Sequence, residues 1–125
     1  MTAVPYAVVA TPGQLADAVL TLTAARRIAV DTESDSRHRY PERVCLVQLA
    51  GAERVYLIDP LRVPDLIPLR PLLESSRVEK VLHGADYDLR GLNRDWGLTA
   101  VNLFDTYVAA RLVGIEQVGL GALAA

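Results

Sequence analysis

Asp31, Thr32 and Glu33 close the run RIAVDTE at residues 27–33. Ile28, Ala29 and Val30 are a short apolar stretch with a β-branched bias, which reads as a strand buried on both faces. Side chains alternate across a strand, so Asp31 and Glu33 share one side and Thr32 takes the other. Two residues of rise separate the two acids by about 7 Å of backbone, within reach of one hard divalent cation. Paired carboxylates repel, and a metal, an arginine or a shared proton must offset that. Taken alone, the same three residues also fit a strand end that has left the sheet and faces water.

A second acidic stretch, KVLHGADYDL at residues 80–89, has the same logic. A strand over residues 78–82 breaks at His83-Gly84, and a helix follows from about residue 85 to 96. Its first turn carries Asp86 and Asp88. Ligand sites in open α/β sheets gather beyond the carboxyl ends of strands, so this turn is expected to meet Asp31 and Glu33. Asp88 lies slightly nearer the core-facing stripe of Ala85, Leu89, Leu92 and Trp96, but helical geometry scarcely separates it from Asp86. The plainer alternative is that both acids only favour the positive end of the helix.

The elements around these stretches alternate. Residues 6–10 (YAVVA) read as a first strand. Thr11, Pro12 and Gln14 form a helix start, with cap, first-position proline and capping-box partner in place. Leu15, Val19 and Leu22, with Ala18 beside them, give the helix its core stripe, and Arg26-Arg27 are expected to close it. A polar stretch, SDSRHRYPER at 34–43, separates the DTE strand from VCLVQLA at 44–50. A tight turn at 51–53 and RVYLID at 54–59 complete a hairpin. Asp59 before Pro60 reads as a turn residue, and prolines at 68 and 71 leave short or broken helical turns around 66–73. A short strand at 102–104 leads to Asp105 as N-cap of a helix through 111–114, and a last helix is expected from about 117. A three-strand meander followed by strand–helix alternation predicts a mixed-sheet α/β domain.

At 125 residues the chain fits one domain, residues 1–125, with one core. Its composition, half hydrophobic and 22% charged, is that of a folded domain. The net charge of −2 provides no global attraction for polyanions, so nucleic-acid contact requires a local patch. The best one is Arg37, His38, Arg39 and Arg43, with Tyr40 able to stack on a base; a solvated loop is the alternative. The single Cys45 excludes an intrachain disulfide and fits a reducing, cytoplasmic setting. No signal peptide is evident, and no apolar run approaches the roughly 18 residues of a membrane span.

In order and spacing, these pieces resemble the ribonuclease D branch of the DEDD family of 3′–5′ exonucleases, whose fold is ribonuclease H-like. The first family motif corresponds to VDTES followed by YPERVCLVQLA, the second to KVLHGADYDLRGL, with YLIDP between them and LFDTYVAARLVG after. The resemblance covers nearly the whole chain, and the family's histidine five residues ahead of its acid assigns that acid to Asp88 rather than Asp86. It implies hydrolysis of phosphodiester bonds at 3′ ends of single-stranded nucleic acid, RNA before DNA, with two Mg²⁺ or Mn²⁺ ions. Asp31 would bridge both ions, Glu33 would bind the one that activates water, and Asp88 would hold the second beside the leaving oxygen. His83 is expected either to contact nucleic acid or, more plainly, to be a hydrogen-bonded strand-end histidine.

The sequence departs from the family at two places. The third family motif, a helix with Tyr (or His) and an Asp four residues later, does not occur, and Glu116 lies too early to replace that acid. Ser34 stands where many relatives carry a wedging Phe. A partial domain with impaired chemistry is therefore expected, with an apolar groove that invites self-association. Two other classes are a catalytically inactive nucleic-acid-binding or scaffold remnant of the same fold, and a phosphoryl-accepting receiver module. The antiparallel meander argues against the receiver.

Overall fold

The computed structural model describes residues 3–35 and 41–125. Its elements are β1 (Tyr6–Val9), α1 (Pro12–Thr23), β2 (Arg27–Asp35), β3 (Arg43–Ala50), β4 (Val55–Ile58), a 3-10 turn (Ile67–Leu69), α2 (Arg70–Leu73), β5 (Glu79–Leu82), α3 (Ala85–Trp96), β6 (Leu103–Asp105), α4 (Thr106–Leu112) and α5 (Leu120–Ala124). The strands form one mixed sheet in the order β1-β4-β3-β2-β5-β6. β2, β3 and β4 are the expected antiparallel meander, while β5 and β6 add in parallel beside β2 and β1 adds in parallel to β4.

Local sequence explains the start of α1. The Thr11 hydroxyl accepts the Gln14 N–H at 3.1 Å, and Gln14 Oε1 accepts the Ala10 N–H at 2.8 Å. This reciprocal pair, with Pro12 next in line, is a complete capping box. Leu15, Ala18 and Leu22 are buried, as their spacing predicts. The end of α1 differs from expectation. The helix stops at Thr23, and Arg27 is already in β2, where its Nε donates to Glu79 Oε1 on β5 at 2.6 Å. Two further shifts follow from similarly weak local signals: β6 lies one residue later than read, and α5 begins at Leu120 rather than near Gln117.

One face of the sheet is covered and the other is largely open. Ile28, Val30, Val47, Leu49 and Ile58 form a single core with Leu15 and Leu22 of α1, Leu72 and Leu73 of α2 and Leu92 of α3. The expectation that β2 is buried on both faces is corrected here. Its burial alternates strictly from Arg27 to Glu33, leaving Ala29, Asp31 and Glu33 exposed. An apolar run cannot reveal how many faces are covered, because its one small residue, Ala29, tolerates exposure.

Close approach governs α3. A Cβ on Gly91 would fall 2.8 Å from Val44 Cγ2, so glycine lets the helix pack directly on β3. Among the described residues no helix is long and apolar enough to cross a membrane.

Candidate functional site

Because β2 and β5 run parallel, their carboxyl ends lie together, and α3 starts immediately beyond β5. Asp31 and Glu33 project from the open side of β2, opposite Gln48 and Leu46 of β3. The register with β3 shifts directly after Glu33, between it and Ser34. Such a bulge bends a strand and re-aims its side chains, here next to the acid pair.

Asp88 is in the first turn of α3 and only 4% exposed. Its Oδ1 accepts two hydrogen bonds from one residue, the Thr32 N–H at 3.0 Å and the Thr32 hydroxyl at 2.5 Å. Thr32 thus turns to the covered side of β2, as alternation predicts, and clamps the helix acid to the strand that carries the other two. Asp88 Oδ2 accepts no hydrogen bond from a described residue. No fully inaccessible side-chain oxygen or nitrogen among the described residues lacks a partner, so Oδ2 reaches accessible space. Burial raises the Asp88 pKa; the Thr32 hydroxyl bond works against that, and the negative charges of Asp31 and Glu33 add to it. Asp86, by contrast, is exposed and pairs with Arg90 along the helix at 3.1 Å. The helix face that geometry barely favoured is the one that is buried.

The donor chemistry suits a hard cation. Three carboxylates approach one strand end, all donors are oxygen, and one buried carboxylate keeps an oxygen uncommitted. As placed, however, no three His, Cys, Asp or Glu side chains among the described residues converge on a common metal position.

Asp105 performs a larger structural role than capping α4. Its Oδ1 accepts the Tyr107 and Val108 N–H groups of α4 at 2.9 and 3.3 Å. The same carboxylate takes the Gly84 N–H at 2.9 Å and, through Oδ2, the Ala85 N–H at 2.7 Å. It therefore caps α3 as well, where Gly84 has a positive φ of 71° and offers no side chain. Burial pushes the Asp105 pKa up, but the four backbone donors outweigh it and hold the carboxyl below its usual range.

His83 sits at this junction. His83 Nδ1 is hydrogen-bonded to Thr106 Oγ1 at 2.8 Å, and Thr106 Oγ1 also lies 3.2 Å from Leu82 O. Tyr107 packs edge-on against the ring at 5.7 Å. This matches the hydrogen-bonded strand-end histidine. The His83 ring and Asp31 both line a groove of about 270 Å³ on the open sheet face, floored by Ala29, Ala50, Val55 and Val81 and bordered by Leu120.

The basic patch is placed only in part. Arg43 opens β3, exposed and paired in register with Asp35. Arg37, His38, Arg39 and Tyr40 lie outside the described residues. Sequence reading missed the tie that follows them. Glu42 Oε1 accepts the Tyr87 hydroxyl at 2.5 Å, its Oε2 is 3.6 Å from Arg94, and Asp95 accepts the Val44 N–H at 2.7 Å. These bonds pin the start of β3 to α3, and no local signal announces partners 45 to 52 residues apart.

A family model described as 3′-5′ exonuclease matches residues 6–125. The Saccharomyces cerevisiae exosome complex exonuclease RRP6 is 39% identical over 103 residues, which is 82% of this chain and 14% of that protein. The crystal structure of Escherichia coli RNase D, an exoribonuclease involved in structured RNA processing, superposes with a TM-score of 0.85 at 30% identity. That match covers 94% of this chain and 32% of the other. Trypanosoma brucei RNase D in complex with the RNA U12 gives a TM-score of 0.74 at 27% identity, over 85% of this chain and 39% of its own. The chain thus spans well under half the length of these relatives.

Proposed function

The chain belongs to the 3′–5′ exonuclease family, and from that premise we propose that it contributes the Asp31–Glu33–Asp88 half of a site that hydrolyses phosphodiester bonds at the 3′ end of single-stranded RNA. The observation that carries this is the Thr32 clamp. It holds a buried acid with one uncommitted oxygen against the strand that presents Asp31 and Glu33. The resemblance to RNase D, one relative of which was crystallised with RNA, favours RNA over DNA.

Asp31, Glu33 and Asp88 would hold two divalent cations, Mg²⁺ or Mn²⁺. Bound there, the cations supply an acidified water and neutralise charge on the phosphate and the leaving oxygen. The protein's own part is positioning. Asp31 and Glu33 present two carboxylates from one strand, and Thr32 holds Asp88 by one oxygen, leaving the other for a ligand. Arg43, with Arg37, Arg39 and Tyr40, would grip the strand's backbone and bases. His83, held through Nδ1, would offer its opposite nitrogen to the substrate in the groove beside Asp31.

The proposal includes impairment. Groups that act as a unit lose most of their rate when one is missing, so Asp31, Glu33 and Asp88 without a further ligand would turn over slowly. A second reading is a nucleic-acid-binding domain without chemistry. Self-association through the exposed apolar side chains of Phe104, Val108, Leu112 and Leu120 belongs to the same proposal, as does a cytoplasmic setting.

The test is degradation of 5′-labelled single-stranded RNA by this chain and by Asp31→Ala, with Mn²⁺, Mg²⁺ or EDTA. Metal-dependent stepwise shortening that Asp31→Ala abolishes is expected from a working site. Metal-independent binding without shortening in either chain would replace this reading with the binding-only one.

A further inference from the structure

At the amino ends of β2 and β5, opposite the carboxylates, a polar groove of about 520 Å³ is lined by Arg26, Arg27, Arg77, Glu79 and Asn102. Three guanidiniums share it with one carboxylate. Arg27 is paired to Glu79, but Arg26 and Arg77 are exposed and form no ion pair among the described residues. Arg62, Arg70, Arg90 and Arg94 each lie beside an acid, while Arg43, Arg54 and Arg111 also form no ion pair among the described residues; what sets Arg26 and Arg77 apart is that they share one groove with a third guanidinium. In a chain of net charge −2, unneutralised like charges gathered in one groove oppose folding slightly and call for an anion.

Two further features stiffen the groove. Lys80, the chain's only lysine, is fully buried beneath the 75–78 turn, where its Nζ donates to Ser75 O at 2.6 Å and Val78 O at 2.7 Å. No carboxylate pairs with it among the described residues, burial lowers its pKa, and its two carbonyl acceptors fix the turn that carries Arg77. Asn102, at φ 58°, ties the wall together, its side-chain amide donating to Ser76 O at 3.0 Å and its carbonyl accepting the Lys80 N–H at 2.9 Å.

We propose that the Arg26–Arg27–Arg77 groove is a second polynucleotide contact, binding backbone phosphates of the RNA whose 3′ end lies at the carboxylates. Guanidinium forks match phosphate oxygens in pairs, and several forks around one groove suit a chain of phosphates better than a single anion. Six residues of β2 separate Arg27 from Glu33, roughly 20 Å, so one strand can touch both ends of the sheet. The inference rests on the exonuclease reading for the identity of its ligand.

The test reads binding only. Fluorescence anisotropy of a labelled, uniform-sequence single-stranded RNA is followed in EDTA across a salt series. The chain is compared with Arg26→Glu/Arg77→Glu and with the milder Arg26→Gln/Arg77→Gln, thermal midpoints being checked for each. Both positions are exposed, so unchanged midpoints are expected. The charge-reversed pair should bind about tenfold more weakly at low salt. Its log–log salt slope should be shallower by about 1.4, the share of two phosphate contacts on a single strand. Unchanged affinity and slope in both variants would overturn the proposal. So would competition by free inorganic phosphate at the same affinity, or loss of binding to an acidic polyglutamate peptide alone. Hydrolysis plays no part in this readout, so failure of the exonuclease reading shows separately, as absent shortening with Mn²⁺.

Discussion

The two faces of β2 are built from alternate residues of one short run and obey different rules. Ile28, Val30 and Thr32 face three helices and are buried; Ala29, Asp31 and Glu33 face the open side. On the covered face, side chains are chosen for volume and apolarity, and their loss costs stability. On the open face two exposed carboxylates contribute little to folding, and the proposed chemistry depends on them. Thr32 breaks the division. It is buried with the core but spends both its N–H and its hydroxyl on Asp88, so it would serve both stability and the proposed site.

Substitutions can break this contrast. Leu49, fully buried opposite Val30, should show the largest stability effect: Leu49→Ala is expected to cost about 3 kcal/mol in denaturant unfolding. Thr32→Val keeps the shape and the N–H but removes the hydroxyl from a buried carboxylate, for a loss of roughly 1–2 kcal/mol. Its cation affinity by calorimetry should fall too, and Thr32→Ser should restore both. If Thr32→Val leaves Mn²⁺ binding intact, the clamp is structural only.

Asp105→Asn loses the charge and the Ala85 bond while keeping an acceptor for α4, and is expected to cost about 1 kcal/mol. It also carries a pH signature. The folded-state pKa of Asp105 is depressed, so its contribution is complete above the unfolded value of about 3.9 and is lost as pH falls through the folded value. The parent chain should therefore lose stability more steeply below about pH 4 than Asp105→Asn. Smallest of all, Asp31→Ala should shift unfolding free energy by no more than about 0.5 kcal/mol, since it removes an exposed acid beside another. A loss as large as that of Thr32→Val would mean that the open face is not functionally specialised.

What the sequence determined by itself is local. The capping box of α1 and the bounds of α3 depend on residues within a turn of one another, and both are found where their spacing puts them. Alternation likewise settled that Asp31 and Glu33 share a side and Thr32 does not. The meander was legible because a two-strand turn leaves little choice of partner.

Tertiary structure decided everything that needs a distant partner. Only packing shows that β2 is covered on one face, since burial is a property of neighbours and not of the run itself. The family resemblance pointed to Asp88 over Asp86, but the physical difference between them comes from packing, through a threonine 56 residues away. Only the fold makes Asp105 the cap of two helices, buries Lys80 beneath a turn, and gathers Arg26 and Arg77 from opposite sides of a crossover. Sequence patterns report which side of an element a residue occupies. Which charge meets which hydrogen bond is set when β5 docks beside β2 and brings residues 52 apart into register.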